Sequence, residues 1–196
     1  VRLAVMEALD KAEHYPDPES RKLKHALAEY HEVPEEALIC GNGGADLIYR
    51  LAYGTKPAHA LLTAPTFLEY EEALKQVGTK IHIYEMQPDY QVREDILEQM
   101  TEEMDVMFLC NPNNPTGILV EQDLLLRILE QAEIHGILLV LCCSYGLELL
   151  PCHYILPCLP HSGIKARTRR AFIFLKKIPE NIFRVIPRVS LFPEFF

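Results

Sequence analysis

The chain has 196 residues, of which 49% are apolar and 24% charged, a composition that can bury a core and excludes a wholly disordered chain. No apolar run reaches the roughly 18 residues needed to cross a membrane as a helix, so no membrane partner is expected. The net charge of −9 is uneven: residues 151–196 carry eight Lys/Arg and two acids, a net of +6, which leaves −15 on residues 1–150. An acidic body argues against nucleic acid as the main partner. The first residues, from Val1 to Glu7, lack a signal-peptide pattern, which predicts a cytoplasmic protein. They also lack an initiator Met, as expected of a chain that begins inside a longer protein.

The elements follow in chain order. Asp17-Pro18-Glu19 is a helix start, with Asp17 as cap, Pro18 in the first turn and Glu19 complementing the dipole. Leu23, Ala26, Leu27 and Tyr30 recur at helical spacing and carry that helix to about His31. Apolar runs then alternate with helical stretches. Strands are predicted near 37–40, 59–63, 80–85, 106–110 and 137–141. Helices are predicted from the glycine turn at 41–44 to Tyr53, from Pro65-Thr66 to about Gln76, over 92–100 and over 121–135. Gly136 suits the position just past the last of them. This rhythm predicts an α/β domain with a mostly parallel sheet, helices on both faces, and ligands at the carboxyl ends of the strands.

After Leu150 the rhythm fails. Residues 151–196 hold six of the 14 prolines, which leaves no room for long helices and predicts an irregular basic tail; residues 171–175 form the one strand candidate there. The tail should pack poorly, with Phe172, Phe174, Phe192, Phe195 and Phe196 an aggregation liability. The six cysteines include four within residues 142–158, beside His153 and His161. Their spacing contains neither C-x-x-C nor H-x₃-H, so no metal is expected, and without a secretory signal neither are disulfides.

Two segments carry chemistry. Cys40-Gly41-Asn42-Gly43-Gly44-Ala45-Asp46 follows a strand and opens a helix, a setting for an anion at a helix N-terminus or simply a tight turn. Asn111-Pro112-Asn113-Asn114-Pro115-Thr116-Gly117 fixes a loop with two prolines and a glycine and presents three asparagines at the ligand end of the sheet. A multi-turn connector built on Asx-turns is the equal alternative.

The second loop resembles the Asn-Pro-x-x-Pro-x-Gly loop of fold-type I pyridoxal 5′-phosphate enzymes of the class I/II aminotransferase group. Tyr15-Pro16-Asp17-Pro18, Gly41 to Asp46, Ala64-Pro65-Thr66-Phe67-Leu68-Glu69-Tyr70 and Leu141-Cys142-Cys143-Ser144-Tyr145 resemble further segments of that family in the same order. The likeness covers residues 1 to about 150 and implies a partial large domain there. It implies pyridoxal phosphate as cofactor and a small phosphorylated amino substrate. The wording leans toward a decarboxylase of O-phosphothreonine, with a transaminase of histidinol phosphate as the alternative. It also implies a homodimer. By the same resemblance, the amides of Gly44 and Ala45 hold the cofactor phosphate and Tyr70 stacks on the pyridine ring. Asn114 and Tyr145 bond its phenolic oxygen, and Tyr15 reaches the phosphate site of the partner subunit.

Two departures stand against this pattern. Cys142 occupies the place of the family's Asp, which pairs with the protonated pyridine nitrogen; a thiol is mostly uncharged at pH 7. The family's Ser-x-x-Lys stretch, with its Schiff-base lysine, continues as Lys-x-x-Gly-x-x-Gly-x-Arg and has no full match. Lys165, Lys176 and Lys177 are the only lysines after the loop; Ser162-Gly163-Ile164-Lys165 has the first spacing, but no glycine or arginine follows in the family's pattern. No catalytic residue is therefore assigned, and the chain as written is expected to be inactive. A non-catalytic remnant that at most binds the cofactor is the competing reading. The departures coincide with the composition break, which a frameshift near codon 142 would explain.

Overall fold

The computed structural model describes residues 15, 17–31 and 34–142, the single positions 6 and 9, and the backbone of two strands at 152–158 and 171–175. Five α-helices and seven strands are described. They are α1 (Arg21–His31), β1 (Ile39–Asn42), α2 (Gly43–Thr55), β2 (His59–Ala64), α3 (Leu68–Gln76), β3 (Lys80–Glu85), α4 (Ile96–Gln99), β4 (Val106–Cys110), α5 (Gln122–His135), β5 (Leu138–Cys142), β6 (Cys152–Cys158) and β7 (Ala171–Leu175). One sheet runs in the order β1-β6-β7-β5-β4-β2-β3. β2 pairs in parallel with β3 and β4, β4 with β5, and β5 with β7, whereas β6 is antiparallel to both β1 and β7. Every strand except β6 therefore points the same way. The fold is the expected α/β one.

The two faces of the sheet fill alternately from each strand. On one face Leu61, Met107, Leu109, Leu139 and Leu141 pack with Leu124, Leu125 and Ile128 of α5 and with Leu27 and Ala28 of α1. On the other, Ala60, Leu62, Val106, Phe108, Leu138 and Val140 pack with Leu47 and Ile48 of α2 and Tyr70, Ala73 and Leu74 of α3. Strands covered on both sides read as continuous apolar runs, which is why β4 and β5 were legible.

The first helix starts later than expected: α1 begins at Arg21, after a turn at 17–20 in which Ser20 lies at φ 51°, so Pro18 and Glu19 stand outside it. Asp17 caps that turn, its Oδ2 accepting the Arg21 amide at 2.9 Å and its Oδ1 that of Glu19 at 3.2 Å. Gly136 ends α5 in the left-handed region at φ 71°. β1 begins two residues late, because Glu35, Glu36 and Ala37 form a short 3-10 turn after Pro34. The helix expected over 92–100 shrinks to α4. Its first part is held otherwise: the Arg93 amide donates to the Tyr84 hydroxyl at 3.2 Å, and that hydroxyl donates to Asp95 at 2.5 Å.

The segment beyond residue 150, read as irregular, supplies two strands, the anticipated one at β7 and an unanticipated one at β6. Prolines exclude long helices but not short strands: β6 itself contains Pro157, paired with Phe172 one residue before its end. The phenylalanine side chains named as a liability, and the basic cluster of Arg167, Arg169 and Arg170, lie outside the described residues. Among the described residues, no helix is long and apolar enough to cross a membrane.

Candidate cofactor site

The shared direction of six strands gathers the loops of interest. The turn after β1, the Pro65 loop after β2, the Asn111 loop after β4 and Cys142 at the end of β5 all lie at the carboxyl end of the sheet. That is where ligands bind in open α/β sheets.

The turn into α2 is tightly specified. The Asn42 amide donates to Asp46 Oδ2 at 2.9 Å, and Arg50 donates to the Cys40 carbonyl at 3.1 Å. Gly43 sits at φ +87°, where a side chain would be strained. At Gly41 an added Cβ would stand 2.6 Å from Asp46 Oδ2 and 2.8 Å from Leu47. Gly44 and Ala45 follow as the second and third residues of α2. Their amides belong to the first turn, which has no intrahelical acceptors and lies at the positive end of the dipole.

The three asparagines of the loop differ in their surroundings. Asn111 Oδ1 accepts the Val120 amide at 2.9 Å. Asn113 Nδ2 donates to the Pro65 carbonyl at 2.9 Å and to Thr116 Oγ1 at 3.0 Å, while its Oδ1 accepts from Thr66 Oγ1 at 3.2 Å. Both side chains are buried and build the loop, and Asn113 ties it to the loop before α3. Asn114 is exposed. One of the three asparagines is thus presented, and two hold it there. The sequence did not separate these roles, because all three share the same local chemistry.

Tyr70 is fully buried. Its ring stacks on Phe108 with centroids 5.0 Å apart and planes at 28°, and Phe67 meets it edge-on at 5.5 Å. Its hydroxyl has no partner at full hydrogen-bonding geometry, although it lies beside the Cys142 and Cys110 thiols. Burial above all, and then the two thiols, push its pKa far above the ordinary tyrosine range. Cys142 is half-buried, and Cys110, buried, donates to the Pro112 carbonyl at 3.3 Å. Tyr15 is fully exposed and away from this cluster. Tyr145 lies outside the described residues.

The family profile for aminotransferases of class I and II matches residues 1–146. The chain belongs to that family. It is 39% identical over 143 residues to a threonine-phosphate decarboxylase of Salmonella typhimurium, covering 72% of this chain and 39% of that protein. It is 32% identical over 142 residues to a histidinol-phosphate aminotransferase of Anoxybacillus flavithermus, covering 71% and 38%. The crystal structure of an L-threonine-O-3-phosphate decarboxylase from Porphyromonas gingivalis superposes with a TM-score of 0.61 at 28% identity, over 72% of this chain and 43% of that one. The chain thus spans about two fifths of the length of the curated relatives it matches.

The family implies pyridoxal 5′-phosphate, and the residues present fit it at one end only. The first turn of α2 suits a phosphate, and exposed Asn114 suits a ligand oxygen. At the other end Tyr70 is stacked on Phe108, and β5 ends on the thiol of Cys142 with no carboxylate at that position.

Proposed function

We propose that the chain is part of a pyridoxal-phosphate-dependent enzyme acting on a small phosphorylated amino substrate. Decarboxylation of O-phosphothreonine is the first reading, supported by the higher identity to the Salmonella relative; transamination of histidinol phosphate is the second. Residues 1–150 form part of a cofactor-binding large domain, and residues 151–196 are a frame-altered tail. The parent enzyme is a cytoplasmic homodimer in which Tyr15 reaches the partner subunit's phosphate site.

The observation that carries the reading is the presentation of Asn114 at the same end of the sheet as the first turn of α2. Gly44 and Ala45 bind the phosphate through their amides, and Asn114 donates to the phenolic oxygen, orienting the ring. When bound, the cofactor supplies a conjugated ring that draws electrons from the amino substrate. This chain's residues do the binding and orienting, and no group among them moves a proton. The 196-residue chain is therefore inactive, because Lys165, though it stands in Ser162-Gly163-Ile164-Lys165, is not followed by the family's Gly-x-x-Gly-x-Arg pattern, and because the carboxylate at position 142 is missing.

Equilibrium dialysis tests the binding half. Saturable uptake of pyridoxal phosphate, competed by inorganic phosphate and weakened about tenfold by Asn114→Ala, is expected from the loss of one hydrogen bond to a charged oxygen. Uptake that is unsaturable, or indifferent to Asn114→Ala, would contradict it. Re-reading the encoding DNA tests the tail. A one- or two-base change near codon 142 that yields Asp there and a downstream Ser-x-x-Lys followed by Gly-x-x-Gly-x-Arg is expected; no such change would point to a genuine extension.

A further inference from the structure

Cys110 and Cys142 are the last residues of β4 and β5 and are direct partners in that parallel pair. The Asn111 amide donates to the Cys142 carbonyl at 2.8 Å, so the two backbones are pinned together at this point. Paired residues of neighbouring strands project to the same face. Cys110 is part of the Phe108 cluster, and Cys142 packs partly buried against it. Both thiols lie by one atom, the Tyr70 hydroxyl, which has no full hydrogen-bond partner in its buried place. Neighbouring strands stand about 4.8 Å apart, and a disulfide needs Cα atoms about 4.4–6.8 Å apart.

From this we infer that Cys110 and Cys142 form a dithiol site, closed to a disulfide by a low-molecular-weight disulfide oxidant. The exchange runs in two steps. The half-buried Cys142 thiolate attacks the external disulfide, forms a mixed disulfide and expels one small thiolate. The Cys110 thiolate then attacks Cys142 Sγ, forms the intramolecular bond and expels the second. Both protein thiols give their protons to solvent, two electrons pass to the oxidant, and two small thiols leave. Closure takes Cys110 away from the Pro112 carbonyl, and so acts on the loop that presents Asn114. The inference concerns the thiols alone and stands whether or not the chain binds cofactor.

The test is disulfide mapping of the full chain. The folded protein is treated with a small aromatic disulfide, the remaining thiols are alkylated, and the product is cut with trypsin and a Glu-specific protease. That digest puts Cys110, the Cys142-Cys143 pair, and the Cys152 and Cys158 pair in three different peptides. A cross-link between the first two is expected, retained in Cys143→Ser and lost in Cys142→Ser. Cys110→Ser is expected to stop at the mixed disulfide on Cys142. The inference is overturned if Cys110 stays alkylatable after the oxidant is consumed, if the link persists in Cys142→Ser, or if the folded chain does not react. The wild-type and Cys143→Ser maps decide the matter even if the other variants fold poorly.

Discussion

At the turn into α2 and at Asn114 the site presents backbone amides and an exposed carboxamide. At Tyr70 it presents a buried phenol stacked on Phe108 and flanked by two thiols. The first region is exposed or half-buried. The second is packed as core, and a planar ligand would have to displace contacts that hold the sheet. The two regions sit at one end of one sheet, so the difference is not one of fold. It comes from side chains: an exposed carboxamide on one side, and a buried phenol flanked by two thiols on the other.

The largest expected effect is on the buried side. Phe108→Ala removes the partner of Tyr70 from the core, and a loss of about 3–5 kcal/mol in a denaturant titration is expected. A loss below about 1 kcal/mol would mean that the stack is not structural.

Next comes Asn113→Ala, which breaks the bonds to Pro65, Thr66 and Thr116. A destabilisation of about 1–3 kcal/mol is expected, against little change for exposed Asn114→Ala. Equal effects of the two substitutions would erase the distinction between the asparagines that build the loop and the one it presents.

The smallest effect is at the Tyr70 hydroxyl. Tyr70→Phe should change stability at neutral pH by less than about 1 kcal/mol, since the oxygen lacks a full partner. At alkaline pH the variants should part. An unfolded tyrosine loses its proton near pH 10, while Tyr70 in the fold holds it to higher pH. The folded state then binds more protons, so its stability falls as pH rises above about 10. Tyr70→Phe should lessen that fall. Identical alkaline slopes would show that Tyr70 titrates normally.

Much of this was legible in the residues. The apolar runs at 106–110 and 137–141 announced strands covered on both faces, and Gly136 marked a helix end that the structure keeps. The direction of the strands, and with it the gathering of the loops, followed from the alternation of elements. What was not legible depended on long-range partners. The Tyr84 hydroxyl takes the Arg93 amide and shortens a helix whose own residues favour it. Asn111, Asn113 and Asn114 are the same residue type, separated only by what folds against them. The meeting of Tyr70 with Phe108 and of Cys110 with Cys142 is set by register, which no local window contains.

The proposed function makes the first turn of α2 an anion site in a chain that cannot turn over. Restoring the carboxylate alone with Cys142→Asp should give no substrate-dependent turnover above a cofactor-only control. The most direct measurement is to mix the purified chain with pyridoxal phosphate, reduce with borohydride and map the labelled lysines. No adduct, or labelling scattered over surface lysines, is the predicted result. A stoichiometric adduct at a single lysine, lost when inorganic phosphate competes, would contradict the account and mark the chain as an enzyme.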